Sequence, residues 1–207
     1  MGGDFYDFLE LEDGRLGLVV GDATGKGMPA ALVMASARSM LRAVAQALGS
    51  SSPGEVLGRV NDALATDIPP NMFVTCFYAI LDPESGSLRY ANAGHDPPYL
   101  RHGREAKELR ARGMPLGLMP ASSYEEKESI LEAGESAFFF SDGLVEAHDP
   151  KGEMFGFPRL RELVAQHAEE ADLGEYLLEE LYSFVGEGWE QEDDITLLTL
   201  RRSAPPR

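Results

Sequence analysis

Aspartates beside apolar segments are the residues of this chain best suited to chemistry. Asp22 ends one apolar run, and Asp142 is predicted to end another, on the same face as Phe138 and Phe140. Asp193 and Asp194 directly precede a third. Carboxylates without cysteine or clustered histidine suit hard divalent cations such as Mg²⁺ or Mn²⁺. One such aspartate is usually only a turn residue or a helix cap, so a metal site is predicted only if several of them converge.

A hairpin at Asp13-Gly14 predicts how a further carboxylate, that of Asp4, reaches Asp22. Asp-Gly between two alternating runs is typical of a two-residue turn, which pairs positions whose numbers sum to 27. Asp4 is then opposite Ala23 and next to Asp22, and a bulge would shift this pairing by one residue. An unpaired carboxylate at the end of the apolar face before Asp22 would be costly, which favours a bound cation there.

The elements that must position these residues are strands in hairpins and helices in pairs. The pattern predicts strands at 5–11, 15–22, 72–81, 87–93, 136–141 and 195–200, and an extended stretch from 97 that turns at Gly103. It predicts helices at 30–48, 54–66, 157–168 and 173–185, the first of them led by Pro29. Hairpins and separate helices indicate an α+β fold with antiparallel sheets and helices packed outside. Because no repeat or long polar linker interrupts the chain, we predict a single domain.

Composition excludes several classes of protein. The 207 residues include 18 Lys and Arg against 35 Asp and Glu, a formal net charge of −17. This acidic excess opposes binding to nucleic acid or to anionic lipid. The sequence has no apolar run of about 18 residues that could span a membrane, and we expect a cytoplasmic protein. The single cysteine, Cys76, excludes an internal disulfide and a cysteine-built zinc site, and its strand-like surroundings disfavour a catalytic thiol.

Five motifs occur in order along nearly the whole chain. They are Gly2-Gly3-Asp4-Phe5-Tyr6-Asp7, Gly21-Asp22-Ala23-Thr24-Gly25-Lys26-Gly27, Asn92-Ala93-Gly94-His95, Ser141-Asp142-Gly143 and Asp193-Asp194-Ile195-Thr196. Each is weak alone, but the ordered set resembles the metal-dependent protein phosphatases of type 2C, in their bacterial SpoIIE/RsbU branch. The resemblance implies one catalytic domain over residues 1–207. It also implies a four-layer αββα sandwich, in which two antiparallel β-sheets are flanked by helices.

By position, the resemblance implies a centre with two Mn²⁺ or Mg²⁺ ions. Asp22 would bridge both ions, and the backbone carbonyl of Ala23 would complete one coordination shell. Asp4 would support one ion, directly or through water, while Asp142 and Asp193 would hold the other. Asp22, Asp142 and Asp193 are thus the expected catalytic residues.

Four further residues are candidates around this centre. Lys26 would bind substrate phosphate near the start of the Pro29 helix, whose dipole favours anions, although a solvated loop lysine fits as well. His95 would bind phosphate or protonate the leaving group, or it is a structural loop histidine. Asp194 and Thr24 would lie behind the metal ligands. Because Thr24 stands where many type 2C enzymes have a histidine, the general acid stays open.

The implied activity is hydrolysis of phosphoserine or phosphothreonine in a protein by a metal-activated water. The implied substrate is a small phosphorylated regulator of the anti-anti-sigma type, in bacterial signalling. Two alternatives remain: a regulatory module that binds a phosphoprotein with little turnover, and a hydrolase of small phosphate esters. Retention of all four metal-position aspartates opposes the first. The lack of a Gly-rich nucleotide loop opposes the second.

The position of Asp4, close to Met1, predicts that the chain is the excised catalytic part of a longer protein. A metal ligand so near a chain end would lie in a region that normally frays. The resemblance implies an upstream sensor or partner-binding region. An exposed strand edge in the hairpin could also pair with a second copy, so a homodimer is a further expectation.

Overall fold

Two antiparallel sheets, each with its own helices, are present in the described part of the chain. The computed structural model describes residues 2–49, 52–167 and 172–203. Ala168, the last residue of the helix predicted at 157–168, and Met1, from which the excised catalytic part was predicted, lie outside these ranges. The chain divides into unit 1 (Met1–Pro97 and Arg110–Leu131) and unit 2 (Pro98–Leu109 and Glu132–Arg207). The predicted α+β class with two antiparallel sheets is confirmed. That the two units together form a single phosphatase domain over residues 1–207 stays a prediction.

The strands and helices follow the predicted order. In chain order they are β1 (Asp4–Glu10), β2 (Leu16–Ala23), α1 (Met28–Leu48), α2 (Pro53–Asp67), β3 (Val74–Leu81), β4 (Ser87–Ala93), β5 (Tyr99–His102), β6 (Glu105–Glu108), β7 (Glu126–Ile130), β8 (Ser136–Phe140), α3 (Asp142–Val145), α4 (Phe157–Gln166), α5 (Leu173–Val185) and β9 (Leu197–Arg201). The predicted strand at 87–93 and helix at 173–185 match β4 and α5 residue for residue. None of the helices in the described ranges has the length and apolar character needed to cross a bilayer.

Unit 1 is built on a sheet with the strand order β1-β2-β3-β4-β7. Alternate residues of β1, among them Phe5 and Leu9, join a buried cluster with α1 and α2. Asp7 lies on the same face and is buried. Its carboxylate accepts a hydrogen bond from Nε of Arg42 at 3.0 Å and lies 3.4 Å from Nε of Arg38. Since both arginines belong to α1, these contacts fasten α1 to β1.

The β1–β2 hairpin has a three-residue loop instead of the predicted two-residue turn. Leu11 N donates to Arg15 O at 2.9 Å, so these two residues close the ladder. Gly14 has φ of 80°, as expected for a type I turn followed by a left-handed residue. The extra loop residue shifts the register by one. Asp4 therefore pairs with Asp22, and the predicted pairing of Asp4 with Ala23 is wrong.

Unit 2 is built on a sheet with the strand order β6-β5-β8-β9. All five residues of β8 are buried, as predicted for its run of phenylalanines. The rings of Phe138 and Phe140 stack at 5.8 Å, and those of Tyr99 and Phe140 at 5.7 Å. Leu177 on α5 and Leu160 on α4 are fully buried in the same cluster.

Several predicted boundaries are wrong for physical reasons. The short strands β6 and β7 were not predicted, because their charged residues lack an apolar alternation. Asp142 does not end a strand, since β8 stops at Phe140 and Asp142 is the first residue of the one-turn helix α3. Asp194 does not directly precede a strand, because β9 begins only at Leu197.

Candidate active site

Asp4 and Asp22 lie at one end of the unit 1 sheet. They face each other directly across β1 and β2, so their side chains leave the sheet on the same side as cross-strand neighbours. Phe5, the next residue of β1, faces the helices, and the two carboxylates therefore leave by the opposite face. Both aspartates are partly buried. This end of the sheet thus presents two adjacent acidic groups.

Gly3 allows the Ala23 backbone to lie beside Asp22. Ala23 N donates to Gly3 O at 3.1 Å. A Cβ on residue 3 would lie 2.1 Å from Ala23 O and 2.4 Å from Oδ1 of Asp22. Glycine is therefore required to keep these two oxygens in place. Carboxylate and carbonyl oxygens are the donors that Mg²⁺ and Mn²⁺ prefer, so the donor set at this point fits a hard divalent cation.

Thr24 fixes the turn that follows Asp22. Its hydroxyl donates to Phe73 O at 3.1 Å and accepts from Phe73 N at 3.0 Å. Thr24 N also donates to Phe73 O at 3.0 Å. With both functions of the hydroxyl engaged by backbone, Thr24 positions the turn. Lys26 lies in this turn, exposed, one residue before Gly27, the N-cap of α1.

In unit 2, the segment after β8 is joined to the segment before β9. Ser141 N donates to Thr196 O at 3.1 Å, and Thr196 N donates to Oγ of Ser141 at 2.9 Å. Oγ of Ser141 also lies 3.4 Å from Asp194 O. These contacts hold the beginning of α3 against the Asp193-Asp194 pair.

Gly143 permits the close approach of these two acidic segments. A Cβ on residue 143 would lie 2.1 Å from Asp194 O and 3.4 Å from the carbonyl carbon of Asp193. Asp142, one residue earlier, is partly buried, whereas Asp193 is exposed and its Oδ1 accepts from Asp194 N at 2.9 Å. The structure therefore brings together the neighbourhoods of Asp142 and Asp193, which are distant in sequence.

His95 is fixed in the loop after β4. His95 N donates to Oδ1 of Asn92, and Nδ2 of Asn92 donates to His95 O, both at 2.8 Å. The ring is buried, with Nδ1 3.0 Å from Oγ1 of Thr75. That hydroxyl lies 3.4 Å from Asp22 O. A short series of polar contacts therefore connects His95 to the strand that carries Asp22.

Cys76 has no features of a nucleophile. Its side chain is fully buried in the unit 1 core. Burial raises the pKa of the thiol far above its ordinary value, so the reactive thiolate is disfavoured. This environment also disfavours a catalytic thiol, as the sequence does.

Apart from Thr24, the residues that prepare these sites were not predicted from the sequence as functional residues. Gly3 and Gly143 belong to the ordered motifs, but nothing in the sequence indicates the close approaches that require a glycine at these positions. The contacts of Thr75 and Ser141 depend on strands that are paired in three dimensions. The sequence therefore indicated the acidic groups and Thr24, but not the contacts of Thr75 and Ser141.

Comparison with known proteins places these residues in a family context. The family model described as Stage II sporulation protein E (SpoIIE) matches residues 12–203. The protein IcfG of Synechocystis is 31% identical to this chain, over 97% of the chain and 36% of IcfG. The phosphoserine phosphatase RsbU of Bacillus subtilis is 29% identical, over 98% of the chain and 60% of RsbU. The chain thus spans less than two thirds of the length of these curated relatives.

Solved structures have the same fold. The RsbU and RsbW domains of Rv1364c from Mycobacterium tuberculosis match with a TM-score of 0.82 and 32% identity, over all of this chain and 58% of that one. The PP2C domain of SiaA from Pseudomonas aeruginosa matches with a TM-score of 0.84 and 29% identity, over 97% of this chain and 80% of that one.

Proposed function

The chain belongs to the SpoIIE family, and on that premise we propose that it is a metal-dependent protein phosphatase acting on phosphoserine or phosphothreonine. The observation that carries the proposal is the direct pairing of Asp4 with Asp22, beside an Ala23 carbonyl whose close approach to residue 3 only a glycine allows. Such an oxygen donor set suits Mn²⁺ or Mg²⁺. The name of one relative, phosphoserine phosphatase RsbU, supports the substrate class.

Family resemblance supplies the proposed assignment of the metal ligands. Asp22 would bridge two ions, with Asp4 and the Ala23 carbonyl on one of them. Asp142 and Asp193 would hold the other, and Asp194 and Thr24 would support the ligands. When bound, a pair of such ions lowers the pKa of a shared water and neutralises charge on the phosphoryl oxygens.

The other proposed roles belong to side chains that orient the substrate. Lys26 would bind a phosphoryl oxygen from the turn that Thr24 fixes. His95 would donate a hydrogen bond to a phosphoryl oxygen or to the leaving seryl oxygen. The Thr75 hydroxyl has only one hydrogen to donate. If that hydrogen bonds to Asp22 O, Nδ1 of His95 must carry a proton and donate it in a hydrogen bond to Oγ1 of Thr75. Nε2 would then be the ring nitrogen that acts on the substrate, and its protonation state decides whether it acts as an acid.

We propose a small phosphorylated regulator of the anti-anti-sigma type as the substrate, in the bacterial cytoplasm. The net charge of −17 opposes long-range attraction of an anionic partner. Recognition should therefore depend on local docking. That the chain is the catalytic part of a longer protein, and that it forms a homodimer, stay predictions.

The experiment measures hydrolysis of p-nitrophenyl phosphate with Mn²⁺ and with EDTA, and then of phosphoserine proteins and nucleotides. We expect turnover only with metal. Asp22→Asn should lower kcat at least about 100-fold, because it removes the charge of a proposed metal ligand. Asp67→Asn, which changes an exposed aspartate at the end of α2, is the matched control and should stay within about twofold.

Three outcomes would contradict this function. Full activity in EDTA would exclude the metal assignment. Binding of a phosphoprotein with no turnover of any substrate would favour a regulatory module. Equal kcat/KM for free nucleotides and for every phosphoprotein would favour a hydrolase of small esters.

A further inference from the structure

A cavity of about 680 Å³ lies in unit 1 beside the loop that follows β4. The side chains that matter for its chemistry are those of His95, Arg110, Arg112, Glu125 and Lys127. Among the described residues that line it, three cations thus face one carboxylate. The cavity has a formal charge of +2 in a chain whose net charge is −17. Its volume is in the range of ligand pockets, which is about 300–1,000 Å³.

The one carboxylate of this cavity is already bound by its neighbours. Nζ of Lys127 lies 2.8 Å from Oε1 of Glu125, and the backbone N of Arg112 donates to Oε2 at 3.0 Å. The Lys127 ammonium and the Arg112 N–H hold the pKa of Glu125 below its ordinary value. Glu125 therefore stays ionised and positions Lys127, and the cationic residues that line the cavity outnumber this one carboxylate.

The acidic neighbours of Lys127 in sequence point elsewhere. Residues on a strand alternate between its two faces, which separates Lys127 from Glu126 and Glu128. Oε1 of Glu126 accepts hydrogen bonds from Ser52 and Gly54, at the start of α2. Oε1 of Glu128 accepts from Oγ of Ser87 at 2.6 Å. The strand β7 thus directs its cation to the cavity and its other charges away from it.

The cavity lies close to the candidate active site. Its wall includes His95, whose Nδ1 contacts Thr75, and Thr75 contacts the carbonyl oxygen of Asp22. Only β3 separates β2, which carries Asp22, from β4. Two strand spacings amount to about 10 Å, and an extended peptide covers this distance in about three residues. A group bound in the cavity could belong to the same segment as a phosphorylated residue at Asp22.

We propose that this cavity binds acidic side chains that flank the phosphorylated residue of the substrate protein. The inference rests on the proposed phosphatase function and names the substrate feature that the enzyme selects. Carboxylates of an extended segment match the charge of Arg110, Arg112 and Lys127, and guanidinium groups bind them in bidentate geometry. Local positive charge of this kind gives an acidic chain a way to dock an acidic partner.

The first experiment measures binding without catalysis. Fluorescence anisotropy follows a dye-labelled hexaglutamate peptide and its hexaglutamine counterpart, with Mn²⁺ and again with EDTA. The cavity variant is Arg112→Gln/Lys127→Gln. The matched control is Arg104→Gln/Lys107→Gln, which removes the same kinds of charge from exposed positions at the β5–β6 hairpin of unit 2. Arg110→Gln is a second cavity variant, and melting temperatures verify that all variants fold.

We expect the glutamate peptide to bind with or without Mn²⁺, and the glutamine peptide to bind at least 10-fold more weakly. The cavity double variant should lose about 10-fold or more in affinity, and the control less than about twofold. Equal binding of both peptides, or equal losses in both double variants, would overturn the proposal. Loss of binding in EDTA would assign the peptide to the metal site. Displacement by inorganic phosphate at similar concentration would assign the cavity to a free phosphate ester.

The second experiment compares phosphoserine peptides flanked by glutamate or by glutamine, three residues from the phosphoserine. We expect a higher kcat/KM for the glutamate peptide, and a ratio near one in the cavity double variant. An unchanged ratio in that variant would overturn the proposal. Absence of p-nitrophenyl phosphate turnover by the unsubstituted chain would count against the phosphatase function, whereas the anisotropy experiment would still test the cavity.

Discussion

Substitution of Gly3 by alanine tests whether the oxygens of Asp22 and Ala23 bind a metal. The new Cβ would lie 2.1 Å from Ala23 O and 2.4 Å from Oδ1 of Asp22. Relief of both contacts requires a movement of about 1 Å, because carbon and oxygen rarely approach closer than about 3 Å. Mg²⁺ tolerates only small departures from ligand distances of about 2.0–2.1 Å. A displacement of that size removes a ligand from coordination.

The expected magnitude is a 10- to 100-fold loss of metal affinity, about 1.4–2.8 kcal/mol, similar to the effect of misplacing a ligand through its supporting residues. Isothermal titration with Mn²⁺ measures the dissociation constant directly. Gly58→Ala is the matched control, since its Cβ would meet nothing closer than Ser122 O at 4.0 Å. It lies within α2 and should keep the metal affinity while raising stability by up to about 1 kcal/mol.

The melting temperature in EDTA separates a metal effect from a folding effect. Since β1 lies at one edge of the described sheet, the metal-free Gly3→Ala variant should melt within a few degrees of the unsubstituted chain. A dissociation constant for Mn²⁺ within about twofold of the unsubstituted value would refute the reasoning, because the two oxygens would then have no part in binding the metal.

A buried ion pair, a buried thiol and two adjacent carboxylates each have a measurable consequence. Asp7→Asn should lower stability by about 1–2 kcal/mol and the melting temperature by about 2–8 °C, because it removes the charge of a buried carboxylate that pairs with Arg38 and Arg42. The loss is limited because both arginines are half exposed and solvent screens their charges. Calorimetry measures this, and an unchanged transition would contradict the role of these ion pairs. Iodoacetamide should modify Cys76 in urea but not in the folded chain, because burial raises the pKa of the thiol. Stoichiometric labelling under native conditions with loss of activity would instead indicate a catalytic cysteine. Titration with Mn²⁺ should raise the melting temperature, because a bound metal relieves the repulsion between Asp4 and Asp22. A melting temperature that stays constant across the titration would exclude a metal at this position.

The sequence was most informative where one local signal decides the structure. The helix α5 presents Leu173, Leu177, Leu181 and Val185 at a spacing of four, and all are buried. In contrast, β7 has four exposed residues out of five, and it is a strand because β4 offers it a partner. The β1–β2 loop was ambiguous, because Asp-Gly suits both two-residue and three-residue hairpins.

The candidate site was predictable to the same extent. Aspartates at the ends of apolar runs are visible in the sequence, and their ordered motifs indicate a family. The close approach of Gly3 to Ala23 results from pairing between distant residues, which no local pattern contains. The cavity gathers Arg112, Glu125 and Lys127 around a loop that follows β4, and these residues are charged in the same way as many surface residues. Tertiary structure alone distinguishes them.

The interruption of unit 1 by residues of unit 2 has a consequence for folding during synthesis. β4 ends at Ala93, but its partner β7 begins only at Glu126, after the β5–β6 hairpin has been made. At about 5–20 residues per second, the ribosome needs about 2–7 s to proceed from the end of β4 to the end of β7. During that interval the open edge of β4 could accept a strand from another nascent chain. Pairing with the charged strand β7 finally covers this edge of β4. The outer edge of β7 is then exposed, and its charged residues favour solvent over pairing with another strand.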